Sequence, residues 1–424
     1  MRRLYTSLLY LAAPLALARL ALRGLRAPAY WRGWGQRFGR YPPGVGQPAI
    51  WVHAVSVGEV QAAAPLVRSL LRDHPRHRLL VTTTTPTGAD QARKLFGDQI
   101  QCQYLPYDLP GAVARFLDRF TPVIGLIMET EIWPNLYHAC AARGLPLFMV
   151  NARMSPTSAR GYRRVAGLTR ATLGQVAGIA AQTEEDARRL IDLGAPPDRV
   201  QVTGNTKFDL QPPASLHEEA AVLRRELGLS RPVWVAASTH EGEEERLLAA
   251  HDRLRRSLPS ALLVLVPRHP ERFHRAEVLC RHQGLEYVLR SARIPVPADV
   301  PVFIGDSMGE LGLFYAAADI AFLGGSLVPV GGHNPLEAAA LGRPVIFGPH
   351  MFNFAEIARL LLVAGAARRI QDAADLAPLL ETWFADPSLR HDMGERGATT
   401  VAANRGARDR VLAMIRGSLP PGPA

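Results

Sequence analysis

The chain has 424 residues, of which 48% are hydrophobic and 21% charged, and its formal net charge is +11. This length accommodates two or three ordinary domains with a large buried core, and the composition excludes a disordered or collagen-like protein. The basic charge favours an anionic partner such as a nucleic acid, an anionic membrane or a phosphorylated ligand. Lys94 and Lys207 are the only lysines, and neither lies in a G-x-x-x-x-G-K-[ST] motif, which excludes a Walker P-loop. Widely spaced cysteines without a C-x-x-C pair predict neither a disulfide framework nor a zinc cluster.

The N-terminus begins with an apolar run over residues 4–18, and arginines and aromatic residues follow it as far as residue 40. The run is shorter than the roughly 20 residues that span a bilayer. It fits a cleaved signal peptide ending near Ala18, a short or tilted span, or an amphipathic anchor in the membrane plane. The arginines oppose translocation and favour anionic lipid. We therefore expect residues 1–24 to form an uncleaved anchor on the cytoplasmic face of a membrane, either spanning it or lying flat.

Residues 25–212 alternate between strand-like and helix-like segments. The strand-like segments are apolar and rich in β-branched residues: AIWVHAV (49–55), HRLLVTTTT (77–85), PVIGLIME (122–129), LPLFMVNA (145–152), GIAAQ (178–182) and VQVTGN (200–205). Amphipathic stretches such as VQAAAPLVRSLLRDHP (60–75) separate them. Alternation of this kind predicts a parallel sheet with helices on both faces.

A linker-like stretch, QPPASLHEEA (211–220), interrupts the alternation, which restarts over residues 213–415. The strand-like segments of this half are RPVWVAAST (231–239), ALLVLVPRH (261–269), GLEYVL (284–289), DIAFLGGS (319–326) and RPVIFGP (343–349). Residues 416–424 are expected to be a flexible tail. The sequence therefore predicts an α/β protein with two doubly wound Rossmann-like domains that face each other across a cleft. Ligands of such domains bind at the carboxyl ends of the strands.

A glycine-rich stretch, GGSLVPVGGHNPLEAAALGRPVIFGPH, covers residues 324–350. After Gly331 and Gly332, Asn334 is a suitable N-cap, and Glu337 three residues later would complete a capping box for a helix over residues 336–341. Glycines in front of exposed helical N–H groups are typical of a phosphate site, to which Gly325 would also belong. The alternative is a well-capped helix after a tight turn. No G-x-G-x-x-G follows the first strand, which weakens a dehydrogenase interpretation.

Nine motifs resemble those of the 3-deoxy-D-manno-octulosonic acid (Kdo) transferases, and the resemblance covers nearly the whole chain. They are HAVSVGE (53–59), TTTTPTG (82–88), YLPYDLP (104–110), METEIWPN (128–135), NAR (151–153), TGNTKFD (203–209), STHEGEE (238–244), VPRHPERF (266–273) and GGSLVPVGGHNPLEAAALGRPVIFGPHMFNF (324–354). The resemblance implies a two-domain glycosyltransferase-B fold. It also implies inverting transfer of Kdo from CMP-Kdo to a lipid A precursor at the bacterial inner membrane. The acceptor is then expected on the N-terminal half and the donor on the C-terminal half.

In the N-terminal half, the resemblance makes Glu59 the base that takes the acceptor hydroxyl proton, with Ser56 and Gly58 in contact with substrate. Residues 56–59 are also a capping box, and a helix dipole at this position would lower the pKa of Glu59. Glu129 is expected to bind the acceptor or to support the base. Lys207 is expected to contact the Kdo carboxylate or the donor phosphate.

In the C-terminal half, Arg268 and His269 end a strand and are expected on phosphate or on the cytosine edge. Ser238, His240 and Glu241 belong to a strand-end loop that is expected to face the cleft, where Ser238 and His240 are expected to contact substrate. Asn334 and Glu337 are expected on phosphate and on ribose hydroxyls. No Cys or His spacing fits a metal site, so the sequence predicts neither a metal nor a cofactor. An epimerase of the same fold and an inactive membrane-bound scaffold remain alternatives. A nucleic-acid partner is not expected, because no motif of interleaved basic and aromatic residues is present.

Overall fold

The computed structural model describes residues 1–26, 28–42, 48–210 and 213–419 of the chain. The chain divides into two compact units. The first unit combines Met1–Asp209 with the residues from Arg405 onward, and the second unit contains Leu210–Asn404. Each unit contains one seven-stranded sheet, and every recorded strand pair is parallel. The predicted α/β class, with two sheets of this kind, is therefore confirmed.

The first unit contains seven strands: β1 (Ala49–His53), β2 (Arg78–Thr83), β3 (Ile100–Tyr104), β4 (Pro122–Met128), β5 (Leu147–Ala152), β6 (Gly178–Ala181) and β7 (Val200–Val202). Their order in the sheet is β3-β2-β1-β4-β5-β6-β7. The helices along this part of the chain are α1 (Arg2–Arg26), α2 (Trp34–Arg37), α3 (Val57–Asp73), α4 (Pro86–Phe96), α5 (Pro110–Phe120), α6 (Pro134–Ala142), α7 (Pro156–Arg163), α8 (Ala166–Leu173) and α9 (Glu184–Asp192).

The second unit contains β8 (Val233–Thr239), β9 (Leu262–Pro267), β10 (Tyr287–Leu289), β11 (Val302–Ile304), β12 (Ile320–Leu323), β13 (Val345–Phe347) and β14 (Ala367–Arg369). Their order is β10-β11-β9-β8-β12-β13-β14. Its helices are α10 (Leu216–Leu227), α11 (Glu244–Arg255), α12 (Phe273–His282), α13 (Leu311–Ala317), α14 (Leu336–Ala340), α15 (Ala355–Val363), α16 (Leu376–Ala385) and α17 (Pro387–Ala403).

The central strands are buried along their whole length, as β1, β8 and β9 show. Successive side chains of a strand point to opposite faces of the sheet. Accordingly, Ile50 and Val52 belong to one apolar cluster of the first unit, and Trp51 belongs to the cluster on the other face. Helices cover both faces, so both sets of side chains must be apolar. This requirement explains why the central strands appear in the sequence as continuous apolar runs.

In each sheet, the strands that come next after the first strand in the chain lie on one side of it, and the later strands lie on its other side. In the first sheet β1 pairs with β2 on one side and with β4 on the other. In the second sheet β8 lies between β9 and β12 in the same way. Open parallel sheets bind ligands outside the carboxyl ends of the strands at such a switch point. The fold therefore marks one candidate site in each unit.

The last helix of the chain, α18 (Ala407–Ile415), corrects the predicted domain boundary. The sequence pattern assigned residues 213–415 to the second domain, whereas the structure places this helix in the first unit. The Asp209 carboxylate accepts hydrogen bonds from the backbone N–H groups of Gly406 and Arg408, each at 2.6 Å. Val411 and Ile415 then join an apolar cluster of the first unit. The predicted linker over residues 211–220 is shorter than expected, because α10 begins at Leu216; residues 211 and 212 lie outside the described part, as do residues 420–424 of the predicted tail.

The N-terminal helix α1 is long and apolar enough to cross a membrane by length and composition. Its less exposed residues recur every three or four positions, at 2, 5, 6, 9, 13, 17, 20, 21 and 24. The opposite side carries leucines that are each more than half exposed: Leu4, Leu8, Leu11, Leu15, Leu22 and Leu25. The first turn contacts the body of the first unit, where Asn135 Oδ1 accepts hydrogen bonds from Thr6 Oγ1 at 3.0 Å and Arg2 Nη1 at 3.4 Å.

Candidate active site

The first candidate site lies at the switch point between β1 and β4. Glu59 is in the first turn of α3, and Ser56 is the N-cap of that helix. The Glu59 carboxylate accepts a hydrogen bond from the Val55 backbone N–H at 2.8 Å and another from the Ser56 hydroxyl at 3.1 Å. The Ser56 hydroxyl in turn accepts from the Glu59 backbone N–H at 3.4 Å. Ser56 therefore caps α3, whereas the Glu59 carboxylate bonds the N–H of Val55, the residue before the cap, and does not complete the predicted capping box.

The net pKa of Glu59 is raised and not lowered, in contrast to the expectation from its position at the helix start. Burial raises the pKa of this carboxyl group to about 7, and the negative charges of Glu129 and Glu131 add to the effect. The hydrogen bonds from Val55 and Ser56 act in the opposite direction without overcoming desolvation. A carboxyl group that titrates near neutral pH can both accept and release a proton under physiological conditions, which is the property of a general base.

Two further carboxylates follow β4, and one ammonium group follows β7, at the same edge of the sheet. Glu129 comes directly after β4, and its carboxylate lies 3.4 Å from Nζ of Lys207. Glu129 has a φ of 56°, in the left-handed region that residues with a side chain rarely adopt and that is often found at functional sites. Burial raises the pKa of Glu131, and the charge of Glu129 contributes. The structure thus brings Glu59, Glu129, Glu131 and Lys207 to one edge of the sheet, and their roles in the reaction stay predictions.

Gly58 lies beside Glu59 and leaves its backbone open. A Cβ atom built at this position would meet nothing closer than Ser56 Oγ, at 3.9 Å. Internal packing therefore does not require a glycine here. The open backbone is compatible with the predicted close approach of a substrate.

The second candidate site lies at the switch point between β8 and β12. Ser238 lies near the end of β8 in the left-handed conformation, with a φ of 56°, and is buried. Gly324 directly follows β12, and a Cβ there would lie 2.3 Å from the Ser238 carbonyl oxygen. The two strand ends therefore touch through their backbones, and only glycine fits at residue 324.

A buried carboxylate, which the sequence pattern did not reveal, holds this second site together. Glu243 is fully buried and accepts hydrogen bonds from four backbone N–H groups. These belong to Gly325 at 2.6 Å, Leu327 at 2.9 Å, His240 at 2.9 Å and Ser326 at 3.1 Å. Burial raises the pKa of Glu243, and these N–H groups oppose that rise by favouring the carboxylate. The carboxylate thus fills the concave set of N–H groups that a phosphate would otherwise be expected to occupy.

The glycine N–H groups predicted to bind phosphate are therefore used within the protein. Gly325 donates to Glu243, and the N–H groups of Gly331 and Gly332 both donate to the Gly325 carbonyl oxygen, at 3.1 and 2.8 Å. All three glycines have positive φ values of 66°, 109° and 73°, which explains their residue type without a ligand. In the structure these backbone N–H groups are hydrogen-bonded within the protein and shape the loop, and a role of the three glycines in phosphate binding stays a prediction.

The predicted capping box at Asn334 is also wrong. The N-cap of α14 is Pro335, the helix has only five residues, and the cap makes no side-chain hydrogen bond. The Asn334 Oδ1 atom accepts instead from the Leu336 N–H at 3.2 Å. Burial raises the pKa of Glu337, while its hydrogen bond with the Asn334 side chain opposes the rise. Asn334 and Glu337 are thus paired with each other beside the glycine-rich loop.

Histidines and arginines gather at the same edge of the second sheet. Nε2 of His240 lies 2.8 Å from Nε2 of His333, and the rings of His240 and His269 meet edge-on with centroids 5.7 Å apart. Arg268 directly follows β9, and its backbone N–H donates to the Thr239 carbonyl oxygen at 3.0 Å. The structure therefore groups the predicted residues His240, Arg268 and His269 and adds His333, which lies in the GGHN motif.

The described residues, which leave gaps at 27, 43–47, 211–212 and 420–424, contain no group of three or more His, Cys, Asp or Glu side chains arranged to hold a metal ion. The histidines of the second unit can act at their sheet edge as bases and as hydrogen-bonding groups.

Two doubly wound parallel sheets, each with ionisable residues at its switch point, define a class of two-domain α/β enzymes with the glycosyltransferase-B-like fold. The solved structure of UDP-GlcNAc 2-epimerase from Neisseria meningitidis shares this fold at a TM-score of 0.55. The similarity covers 87% of this chain and 100% of that one, with 16% sequence identity.

Within that class, the chain belongs to the 3-deoxy-D-manno-octulosonic acid transferase family. Residues 32–210 match the family profile described as 3-deoxy-D-manno-octulosonic-acid transferase (kdotransferase). The chain is 40% identical to the 3-deoxy-D-manno-octulosonic acid transferase of Haemophilus influenzae over 98% of both chains. It is 41% identical to the enzyme of the same name from Bordetella pertussis, over 97% of this chain and 98% of that protein.

Proposed function

We propose that this member of the family transfers Kdo from CMP-Kdo to a lipid A precursor, with Glu59 as the base. The observation that carries the proposal is the partly buried Glu59 carboxyl group, whose pKa is raised to about 7, at the switch point of the first sheet. The same edge holds Glu129 and Lys207 in an ion pair. These groups offer an acceptor hydroxyl one proton acceptor and several hydrogen-bonding partners.

The proposed reaction is a single displacement. The acceptor hydroxyl loses its proton to the Glu59 carboxylate as its oxygen attacks the anomeric carbon of Kdo. The bond from that carbon to the phosphate oxygen breaks, and CMP leaves with the bonding electron pair. Glu59 later releases the proton to solvent. Attack from the side opposite the leaving group inverts the anomeric centre, as the family resemblance implies.

Donor binding is proposed for the second unit. Arg268, His240 and His269 place basic groups at its switch point, where they can contact the phosphate of CMP-Kdo and meet the charge that grows on it as the bond breaks. Lys207 belongs to the first unit and is paired with Glu129, which supports a role in setting the charge around Glu59. Neither a metal nor a cofactor enters the proposed reaction.

Mass spectrometry of the acceptor after incubation with CMP-Kdo tests this function. The expected result is an increase by one or more Kdo units with the wild-type protein. A Glu59→Gln variant is expected to lose about 10²- to 10⁴-fold in turnover, the typical contribution of a general base, while it still binds CMP. Consumption of the nucleotide sugar without a heavier acceptor would favour an epimerase, and no turnover by a protein that binds CMP would favour an inactive scaffold.

We further propose that α1 holds the enzyme in the plane of the inner membrane on its cytoplasmic face. The exposed leucines of α1 would enter the lipid, and arginines near it would contact anionic headgroups. The first turn of the helix bonds Asn135. The chain that follows the helix is held, ten residues beyond Arg26, at Gln36, whose Oε1 accepts from the Tyr104 N–H at 2.8 Å. A spanning helix would carry one end roughly 30 Å across the bilayer and break the contacts at that end.

A dye on the N-terminus distinguishes the two arrangements. The protein is added to preformed anionic vesicles, and a membrane-impermeant quencher is then supplied outside. An in-plane helix leaves the dye accessible, so rapid and complete quenching is expected. Protection of the dye until the vesicles are lysed would mean that α1 spans the bilayer.

A further inference from the structure

Two histidines of the second unit are joined ring to ring. Nε2 of His240 and Nε2 of His333 are 2.8 Å apart, while the ring centroids are 5.1 Å apart and the ring planes differ by 8°. Because the two nitrogen atoms are much closer than the centroids, the nearly parallel rings meet edge to edge. This is the geometry of an N–H···N hydrogen bond and differs from a face-to-face stack.

The bond fixes how many protons the two rings can carry. One histidine must donate its Nε2–H, and the other must accept with a bare Nε2 and hold its own proton on Nδ1. The pair is then neutral, and the Nδ1 atom of the donating histidine is free to take one more proton. A second additional proton would put hydrogen on both Nε2 atoms and break the bond. The pair therefore carries either no charge or a single positive charge.

Burial, together with basic neighbours, keeps the pair neutral when no anion is bound. Burial lowers the pKa of His333 to about 3, and the charges of His240, Arg268 and His269 contribute. Burial also lowers the pKa of His240, with contributions from His269, Arg268 and Arg272.

The carboxylates nearest to the pair are engaged elsewhere. Glu243 accepts hydrogen bonds from four backbone N–H groups. The exposed Glu241 lies 3.7 Å from Arg272, and Glu337 is bonded to Asn334. Within the part of the chain that the structure describes, no carboxylate is hydrogen-bonded to either imidazole ring, so a positive charge on the pair lacks a resident counter-ion.

We propose that the His240–His333 pair takes up one proton when the anionic part of the nucleotide-sugar donor binds, and that the charged pair stabilises the departing phosphate. This inference rests on the proposed function, which assigns the donor to the second unit. A nearby negative charge favours the protonated form of a histidine. The proton comes from solvent and enters at the Nδ1 atom of the donating ring, so the charged pair presents an N–H donor at each Nδ1. The proton returns to solvent when CMP leaves.

The proton uptake gives donor binding a defined pH dependence. The empty pair is neutral at neutral pH, because the pKa of each histidine is lowered. Bound anion raises the proton affinity of the pair, so binding is tightest at low pH. Affinity then falls by up to about tenfold per pH unit as the pH rises through the pKa of the bound state.

Calorimetry of the full-length protein in detergent counts this proton directly. The probe is the methyl ester of cytidine 5′-phosphate, a diester whose phosphate keeps a single negative charge between about pH 5 and 8, where histidine titrates. Binding heats at about pH 6 are measured in buffers with different ionisation enthalpies. We expect an uptake between about half and one proton per bound nucleotide.

Variants assign the proton to the pair. His240→Gln with His333→Gln keeps amide groups at both positions and removes the titration, so uptake is expected to fall to near zero. His269→Gln should retain uptake. The matched control is His274→Gln, because His274 is a 77% exposed side chain on α12. Nitrogen-15 spectra of the wild-type histidines, with and without the diester, give the same proton count without any variant.

Each outcome decides the question. Binding by the wild-type protein without proton uptake would overturn the inference and leave the donor site intact. Uptake that persists in the double variant, or that disappears in His269→Gln, would assign the proton to another group and also overturn it. A wild-type protein that does not bind the diester at any pH would overturn the donor assignment together with the role of the pair.

Discussion

The Glu129 carboxylate and the Lys207 ammonium group lie 3.4 Å apart at the edge of the first sheet that also carries Glu59. Both side chains are largely shielded, with exposed fractions of 28% and 21%. Their pairing matters for catalysis because the charge of Glu129 is one cause of the raised pKa of Glu59. The ion pair therefore helps to determine the pH at which the proposed base becomes deprotonated.

Replacing Glu129 by Gln is expected to shift the acid limb of the pH profile of kcat/KM. A general base works in its deprotonated form, so activity falls as the pH drops through its pKa, which is about 7 for Glu59. Loss of the negative charge at residue 129 lowers that pKa and moves the acid limb to lower pH. Lys207→Met, which leaves Glu129 without its cation, should move the limb the other way.

The matched control for this experiment is Glu185→Gln. Glu185 lies on α9 of the same unit, is 65% exposed and pairs with Arg189, so its removal should leave the limb in place. A limb that stays fixed in both Glu129→Gln and Lys207→Met would show that Glu59 is not the group that titrates.

Glu59→Gln is expected to stabilise the protein at alkaline pH while it strongly reduces turnover. The pKa of Glu59 is raised from 4.5 to about 7 in the folded protein, so the native state disfavours the ionised form. This group therefore favours folding below about pH 4.5, and that contribution is lost as the pH rises to about 7. The amide removes a penalty of at most about 3 kcal/mol above that pH.

Thermal unfolding at acid and alkaline pH measures this effect. The difference in Tm between Glu59→Gln and the wild type should be positive at about pH 8 and near zero at about pH 4, because both forms of the side chain are then neutral. A variant that is less stable than the wild type at pH 8 would mean that the carboxylate matters more as a helix cap than it costs through burial.

Most strands of the fold could be predicted from the sequence, including the edge strands β7 and β10, whereas β3, β11 and β14 were missed. Strands such as β1, β8 and β9 are covered on both faces and therefore consist of apolar runs. The strand β3 (Ile100–Tyr104) was missed because it lies at the edge of its sheet and alternates apolar residues with Gln101 and Gln103. The strand β14 (Ala367–Arg369) was missed for the same reason, since two of its three residues are exposed arginines.

The site residues that could be predicted are those whose position follows from the neighbouring sequence. Glu59, Glu129 and His240 closely follow apolar strands, which places them at the ligand-binding edges of the sheets. Glu243 and His333 were missed because their partners are distant in the chain. Glu243 bonds to N–H groups 82 to 84 residues away, and His240 lies 93 residues from His333. Glycines indicate a special backbone conformation, but they do not show whether their N–H groups remain free for a ligand.

Glu243→Gln is expected to unfold the loop around Gly325 and to weaken donor binding. An amide provides one acceptor oxygen and turns its own NH₂ group toward backbone donors, so some of the four N–H groups lose their partner. Each hydrogen bond to a buried charged group contributes about 1.5 to 3 kcal/mol, and we expect a loss of at least about 3 kcal/mol in the free energy of unfolding. Denaturant titration and CMP binding measure the two effects.

The neighbouring Glu241 provides the control for the loss of a carboxylate in this loop. Its side chain is 92% exposed, so Glu241→Gln should change stability by less than about 0.5 kcal/mol. Equal effects of the two substitutions would show that the bonds to the Gly325 loop contribute little.

A comparison of Gly332→Ala with Gly309→Ala distinguishes the cost of backbone strain from the cost of a steric clash. Gly332 lies in the glycine-rich loop, and Gly309 lies outside it. Both glycines have a positive φ, 73° and 90°, so alanine costs about 1 to 2 kcal/mol at either position through the left-handed backbone alone. A Cβ at residue 309 meets nothing within 4 Å, whereas one at residue 332 would lie 2.2 Å from Met351 Sδ and 3.2 Å from the His350 carbonyl oxygen. Gly332→Ala should therefore lose clearly more free energy of unfolding than Gly309→Ala in a urea titration. Equal losses would mean that Met351 moves aside freely and that only the backbone conformation requires glycine at residue 332.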